Sequence, residues 1–590
     1  MAPRRWWAPL AVCGATLAAY ATALGDGFVW DDGNIIVGNP SIKHWSEAAR
    51  LFTSSLERNT EYYRPMLGLS FLADWQLFGP WPAGFHLTSI LIHAAVGILL
   101  YVLAARLLAD PLAAVFAALL FVVHPVHTEA VAYVSGRSDP LAALFALAAL
   151  VWALEPRRRA LSVGAFFLAL LSRETSVGVL LLVPLLDVTA GPRGTWTERV
   201  TRRYVPYVGA LAVYLVMRWL AVGAGTVAND TAAYGLGTRL LTLPKVVVAY
   251  LQLLAWPSAL HMERVVAPAT SPLDPTVLVS VLLLVGGIGV VGNWRQEMPA
   301  AWPVAFGVAW FGLALLPVAN LVPLATFMAE HWLYLPSMGL FIAAGWVFAG
   351  LARRTRPGGV IVLVAVLVLA YGARTARRNL DWRDDRTLYQ ATLRFTDSAR
   401  VHGNLGRVYW MEGDVEPAKR ELDRAIELRP RHWQTADAYN QRGVIYQQEG
   451  RHAEALQDFQ RAIELYPRNP APYVNLATTL QAFGRIDDAR QALETAIAVD
   501  PRYASAYVNL GNVFFNAGDL ARARDLYTKA IALDPQLGDA HQNLGAVYFH
   551  EGRFALAADS FRTALRLNPR SAMARQNLES AVRAQAGDGR

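Results

Sequence analysis

Two carboxylates stand side by side at Asp31-Asp32, in the stretch GFVWDDGNIIVGNP. Four further stretches collect groups of the same kind. EYYRPMLGLSFLADW (61–75) sets Arg64 ahead of Pro65 and an apolar run. HPVHTEAVAYVSGRSDPLAALF (124–145) packs His124, His127, Glu129, Arg137 and Asp139 into sixteen residues. LSRETSVGVLLLVPLLDV (171–188) holds Arg173 and Glu174 between apolar runs, and MAEHWLYLPSMGLF (328–341) opens a helix with Glu330, His331 and Tyr334. A guanidinium fork donates two hydrogen bonds to a phosphate. A carboxylate beside it can take the proton of a hydroxyl. Together the five stretches read as a site that binds an anionic lipid headgroup and does acid/base work.

Plainer roles exist for each group. Asp31-Asp32 could be a solvated pair or a cap, since Asp favours turns. His124-X-X-His127 with Glu129 has the flavour of a metal site, but no third ligand is spaced to complete it. The alternative is that Pro125 breaks the chain and both imidazoles bond to backbone carbonyls. Arg173 and Glu174 could form an internal ion pair, because charges at membrane depth pair.

The elements that must position these groups are apolar helices. The chain has 590 residues, 54% hydrophobic and 17% charged, with a net charge of +8. A soluble domain carries nearer a quarter charged residues. The long apolar runs fall in residues 1–373, so a helical membrane domain is expected there, then a linker (374–399) and a soluble domain (400–590). The single cysteine, Cys13, lies in the first apolar run and allows no intrachain disulfide. The opening stretch resembles a signal peptide, but its apolar part reaches Leu24 and further spans follow, so it reads as an uncleaved first helix.

Candidate spans are 6–24, 85–108, 110–123, 140–154, 160–172, 175–190, 204–222, 276–293, 302–322, 333–352 and 359–373, about eleven by the length a bilayer needs. Arginines placed on the cytoplasmic side orient them: Arg4-Arg5, Arg157-Arg158-Arg159, the stretch 193–203 and Arg353-Arg354-Thr355-Arg356. Trp294-Arg295 joins that side only if 239–256 does not cross, so 239–256 is read as re-entrant or interface-lying; the alternative is twelve spans. With eleven, all five polar stretches and the C-terminal domain face outward. Arg374, Arg377 and Arg378 then break the charge rule.

The soluble part repeats. Pro430, Pro467, Pro501, Pro535 and Pro569 are spaced 37, 34, 34 and 34 apart, and Gly413, Gly450, Gly484, Gly518 and Gly552 keep the same spacing. That is the tetratricopeptide pattern, in about five units stacked as an α-solenoid. Gly443, Ala477, Gly511 and Gly545 let paired helices approach. Asn475, Asn509 and Asn543 recur at one position, either to grip an acceptor peptide or to pack helices. The repeats contain neither a His/Cys cluster nor a phosphate loop, and the whole chain lacks a Walker motif, which disfavours an ATP-driven transporter.

In order and content, FVWDDGNIIVGNP, YYRPMLGLSFLADWQLFGPWPAGFHLTSILIHA and the three later polar stretches, leading into repeats, resemble the transmembrane O-mannosyltransferases targeting cadherins and their bacterial relatives. The resemblance implies an all-α fold with a GT-C-type membrane domain. It implies a glycosyltransferase that takes sugar, mannose by analogy, from a polyprenyl-phosphate donor on the non-cytoplasmic side. Asp31-Asp32 would then be catalytic, with Arg64, Arg137 or Arg173 on the donor phosphate. His124, His127, Glu129, Asp139, Glu174, Glu330, His331 and Tyr334 would support them, and the repeats would bind an acceptor protein Ser/Thr. Neither a nucleotide nor nucleic acid is implied, and Arg can supply the charge a metal would. High Ala, Arg and Leu content and compact loops look bacterial, which implies an inner-membrane enzyme facing the periplasm. Two rival classes remain: a membrane-anchored repeat scaffold, which would need one helix rather than eleven, and a secondary transporter, which would show internal symmetry.

Overall fold

A computed structural model describes residues 6–56, 62–190, 195, 197, 200–223, 230–355 and 357–588. Arg4, Arg5, Arg356 and much of the stretch 193–203 lie outside the described residues. Every regular element among the described residues is helical. The chain divides into two units, Met1–Thr396 and Asp397–Arg590.

The first unit contains α1 (Trp7–Tyr20), α2 (Pro65–Phe78), α3 (Pro82–Leu108), α4 (Pro111–Val122), α5 (Thr128–Ala132), α6 (Ser138–Ala153), α7 (Arg159–Ser172) and α8 (Val179–Ala190). It continues through α9 (Val205–Val222), α10 (Leu236–Ala255), α11 (Pro275–Glu297), α12 (Trp302–Leu315), α13 (Tyr334–Arg354), α14 (Pro357–Asn379) and α15 (Asp385–Leu393). Proline opens α2, α3, α4, α11 and α14, where its missing N–H costs nothing. Among the described residues seven helices are long and apolar enough to cross a bilayer alone, and an eighth if α4 and α5, bent by 51°, count as one. The others are shorter, and turns at Pro156–Arg158, Glu174–Gly178 and Leu316–Val318 extend α7, α8 and α12.

Hydrogen bonds between helix ends fix the number of crossings. Asn379, at the end of α14, donates to the Ala19 carbonyl (3.0 Å) and the Thr22 hydroxyl (3.0 Å), and Thr22 bonds the Ala376 carbonyl. Gly27 N–H donates to the Arg383 carbonyl at 2.9 Å. The exits of α1 and α14 therefore lie at one end, so the chain crosses an even number of times between them, and an odd number once α1 is counted. The exception is α10. Arg239 near its start donates to the Asn320 carbonyl, and Tyr250 near its finish donates to the Ala329 carbonyl. Both partners belong to the loop joining α12 to α13, so both ends of α10 lie at the same, loop-rich end. Leaving α10 out, the candidate crossing segments among the described residues are α1, α3, α4, α6, α7, α8, α9 and α11 to α14, an odd set. By length and apolarity α10 is itself one of the seven. The opposite end is rich in arginine: Arg106 pairs with Glu155 at 2.7 Å, Arg158 with the same carboxylate, and Arg353 with Asp110.

Residues 374–396, set apart in the sequence as linker, are helical and belong to the first unit: α14 runs on to Asn379 and α15 follows. The second unit is five antiparallel helix pairs, α16 (Ala399–Glu412) to α25 (Phe554–Leu567), closed by α26 (Ala572–Asp588). Gly413, Gly450, Gly484, Gly518 and Gly552 turn each pair at positive φ. Within the pairs glycine is required by space: a Cβ on Gly511 would stand 2.5 Å from the Tyr527 ring, and one on Gly545 would stand 2.7 Å from Phe561.

Candidate functional site

Trp30 adopts a left-handed φ of +54°, unusual for an indole-bearing residue. Two contacts hold it there. Its N–H donates to Asp385 at 2.7 Å, and its ring stacks on Tyr133 at 5.4 Å, which in turn stacks on Trp382 at 5.5 Å. This kink delivers the two aspartates into different surroundings. Asp32 is 0% exposed. Its Oδ1 accepts from the Ser135 N–H (2.8 Å) and hydroxyl (2.5 Å), and its Oδ2 from the Val29 N–H (3.2 Å). Burial pushes its carboxyl up to about 7, against the pull of those three donors and with a push from Asp31. Asp31 is half-buried, and its side chain bonds the Tyr133 hydroxyl.

The second, third, fourth and fifth polar stretches meet around Asp139, which lies within electrostatic reach of Arg173, His331, Arg64 and Glu129. Arg173 donates to Asp139 and, at 2.9 Å, to Ser138, while its Nε has no acceptor among the described residues. Arg64 grips Glu174 with two bonds, 2.6 and 3.1 Å, and lies over the Tyr62 ring. A pair between Arg173 and its chain neighbour Glu174 is one alternative the sequence leaves open. Each instead bonds a residue of another stretch. Glu129 accepts from the His331 N–H (3.2 Å) and contacts its Nδ1 (2.7 Å).

Several expected site residues are committed elsewhere. Arg137 is 0% exposed and every guanidinium nitrogen is engaged. Nε donates to Ser89 (3.0 Å), Nη2 to the Phe85 carbonyl (2.6 Å), and Nη1 meets Ser70 and Asp74 (2.6 Å). No fork remains to offer a phosphate. His124 Nε2 donates to the Leu254 carbonyl at 3.1 Å, and its Nδ1 accepts from Val126. His127 is buried among Phe121 (4.5 Å) and Tyr334 (5.0 Å), and neither ring nitrogen has a partner among the described residues. Tyr334 donates to His93 Nδ1 at 2.5 Å inside the bundle. These three belong to the core. Glu330 is a clamp: it accepts from the His261 N–H (2.7 Å) and from Arg264 Nε and Nη2 (2.9 and 2.6 Å), fixing the segment after α10. Among the described residues no three His, Cys, Asp or Glu gather as a metal group.

The sequence reading missed two groups. Arg264 carried no signal, since its segment looks like an ordinary loop. Arg378, flagged only as breaking the charge rule, pairs with Asp381 at 2.8 Å and acts on Glu129 and Glu330. Acidic residues at the loop-rich end draw basic partners regardless of side.

In the second unit the recurrent asparagines bond within the solenoid. Asn475 donates to Asn440 (2.9 Å), Asn543 to Asn512 (2.8 Å), and Asn509 to the Ser505 carbonyl (2.9 Å).

Fold and site define an all-helical membrane unit with a buried polar cluster at one end, followed by a repeat solenoid. Tetratricopeptide-repeat models match 397–468, 434–502, 474–537 and 538–571. The chain is similar to protein O-mannosyl-transferase Tmtc1 of Drosophila melanogaster, 27% identical over 72% of this chain and 62% of that one. It is similar to TMTC3 of Homo sapiens, 27% identical over 71% of this chain and 51% of that one. TMTC4 of Homo sapiens is 27% identical over 68% of this chain and 64% of that one. The chain thus spans half to about two-thirds of the length of these relatives. A thermophilic tetratricopeptide protein of Thermus thermophilus aligns with 31% of this chain and 98% of its own, at 22% identity and a TM-score of 0.28.

Proposed function

We propose that the chain is a membrane glycosyltransferase that moves a sugar, mannose first among candidates, from a polyprenyl-phosphate donor to a protein Ser/Thr hydroxyl. The reaction takes place at the loop-rich end, on the non-cytoplasmic face of a bacterial inner membrane, and the repeats present the acceptor. The named activity of the relatives, O-mannosyl transfer to protein, supports the sugar and the acceptor. One observation carries the catalytic assignment: of the two adjacent aspartates only Asp31 retains exposure, while Asp32 is sealed. Asp31 is the catalytic residue and Asp32 a positioning residue.

In the transfer, the acceptor hydroxyl oxygen attacks the anomeric carbon. Its proton passes to the Asp31 carboxylate. The bond from the anomeric carbon to the phosphate oxygen breaks, and the prenyl phosphate leaves with the electron pair. The leaving group gathers negative charge, and a preorganised guanidinium stabilises it. Arg64 takes that part, exchanging Glu174 for phosphate, with Arg173 behind it. Asp139 and Glu129 hold Arg173 and His331 in place.

The test is transfer from radiolabelled prenyl-phosphate mannose to a Ser/Thr peptide in membranes holding the protein. Asp31→Asn should lose transfer by about a hundredfold or more, the usual value of a general base. Full activity in that variant removes Asp31 from the mechanism. Glycoproteomics of a deletion strain would identify acceptor and sugar together.

A further inference from the structure

At the arginine-rich end, away from the polar cluster, a cavity of about 410 Å³ opens between α7 and α9. Its walls are Ala153, Ala160, Val163, Pro206 and Tyr207, and its polar lining is Arg159, Arg202 and Arg203. It lies at this end because Tyr207 bonds Ser162 (2.6 Å), which donates to the Ala149 carbonyl in the last turns of α6. Tyr207 spends its proton on Ser162, so the polar character of the cavity comes from guanidinium alone.

Arg203 is the informative group. It is 5% exposed and pairs with Asp187, yet none of its N–H groups makes an aligned hydrogen bond, and Nε and Nη1 have no hydrogen-bond partner among the described residues. A buried guanidinium with orphaned donors is unfavourable unless an acceptor supplies the missing bonds. Asp187 itself is already bonded by the Tyr204 hydroxyl at 2.9 Å. Arg159 and Arg202 are exposed at the rim. Among the described residues, three guanidiniums against one carboxylate leave a cationic cavity with apolar walls. Beside it Leu161, Val205 and Val208 are exposed, as lipid-facing residues are.

We propose that this cavity binds the phosphate headgroup of an anionic membrane lipid, in the leaflet opposite the catalytic end. Arg203 holds the phosphate from the floor with Nε and Nη1. Arg159 and Arg202 close over it, and the first carbons of the tail lie along Val163 and Pro206. Guanidinium suits phosphate through its fork of donors, and a basic pocket between helices is the setting in which acidic lipids bind.

The full-length protein in nanodiscs of phosphatidylcholine doped with phosphatidic acid or phosphatidylglycerol, ejected and read by native mass spectrometry, tests this. Wild type should keep bound phosphatidic acid and phosphatidylglycerol in preference to phosphatidylcholine. Retention should fall at least fivefold in Arg159→Gln/Arg202→Gln. It should fall as far in Val163→Trp, which keeps every guanidinium but fills the cavity, and both variants should run as wild type in size exclusion. Undiminished retention in either variant overturns the site. Displacement of the lipid by millimolar inorganic phosphate assigns the cavity to a free anion and overturns the lipid.

Discussion

Both oxygens of Asp32 are occupied by protein donors, and its carboxyl titrates near 7. That value stands above the ordinary 3.8, so the folded protein favours the neutral form. Its contribution to stability is full below about pH 4 and is lost as the pH rises through about 7. Asp32→Asn cannot ionise, and its amide cannot accept from both Ser135 and Val29. We expect the variant to lose an inflection near pH 7 from both the pH–rate profile and the pH–Tm profile, with kcat down about tenfold, within the range of acid/base and positioning effects, and KM little changed. An unaltered inflection would exclude Asp32 as its origin. Arg137 and Arg64 should separate cleanly. Arg137→Gln leaves Asp74 buried without its cation and should destabilise by about 3–5 kcal/mol. Arg64→Gln disturbs a pair whose carboxylate is half exposed and should cost about 1 kcal/mol or less, while raising the KM for donor. Thermal unfolding beside donor titration reads both. The sequence could not tell these arginines apart. The partners that consume Arg137, on α2 and α3, are some fifty to seventy residues distant in the chain.

Among elements, the repeat array was legible from its spacing because each unit restates one packing rule. A small residue on the first helix receives an aromatic or leucine from the second. Gly511→Ala puts a Cβ 2.5 Å from the Tyr527 ring and should destabilise the solenoid by about 1–3 kcal/mol, the usual cost of overpacking. Ala substitution at Gly538, where the nearest atom stands 3.7 Å away, should be near neutral in the same unfolding assay. The first helix pair also carries a pH-dependent tie. Burial alone would lower the His402 imidazole, but bonds to Glu421 (2.5 Å) and Asp397 (2.8 Å) raise it. The stability it adds is full below its ordinary value near 6.5 and fades as pH climbs past the raised one. Amide exchange of α16 and of its partner helix Val415–Leu428 in the whole protein should therefore be slower at pH 6 than at pH 8.5, after correction for the intrinsic rate. His402→Gln should abolish that difference, and a difference that survives in the variant would place its source elsewhere. The short membrane helices were harder to read. α4, α7 and α8 lack the length of a span, and only their bonded neighbours show which end each reaches.

At the scale of the molecule, hydropathy leaves twelve apolar segments and cannot say which one stays out of the bilayer. The chain's own ties decide it. Thr231 and Arg239 before and within the start of α10, and Tyr250 near its finish, all bond the loop that ends α12 and begins α13. Glu330 of the same loop then captures His261 and Arg264 just beyond α10. A helix moored at both ends to one loop runs along an end of the bundle, where Lys245 reaches the Ala267 carbonyl (3.0 Å) rather than lipid. Near its finish the Leu254 carbonyl accepts from His124 Nε2 at 3.1 Å. Membrane-impermeant thiol labelling checks the arrangement, starting from a Cys13→Ala background, since Cys13 is the only cysteine. Tyr234→Cys and Leu273→Cys flank α10 and are 39% and 75% exposed. Both should label from the same side of sealed vesicles, and Trp294→Cys, at the far end of α11, only after permeabilisation or in vesicles of the opposite orientation. If Tyr234→Cys and Leu273→Cys label from opposite sides, α10 crosses, and the exits of α1 and α14 could no longer share an end as their hydrogen bonds require.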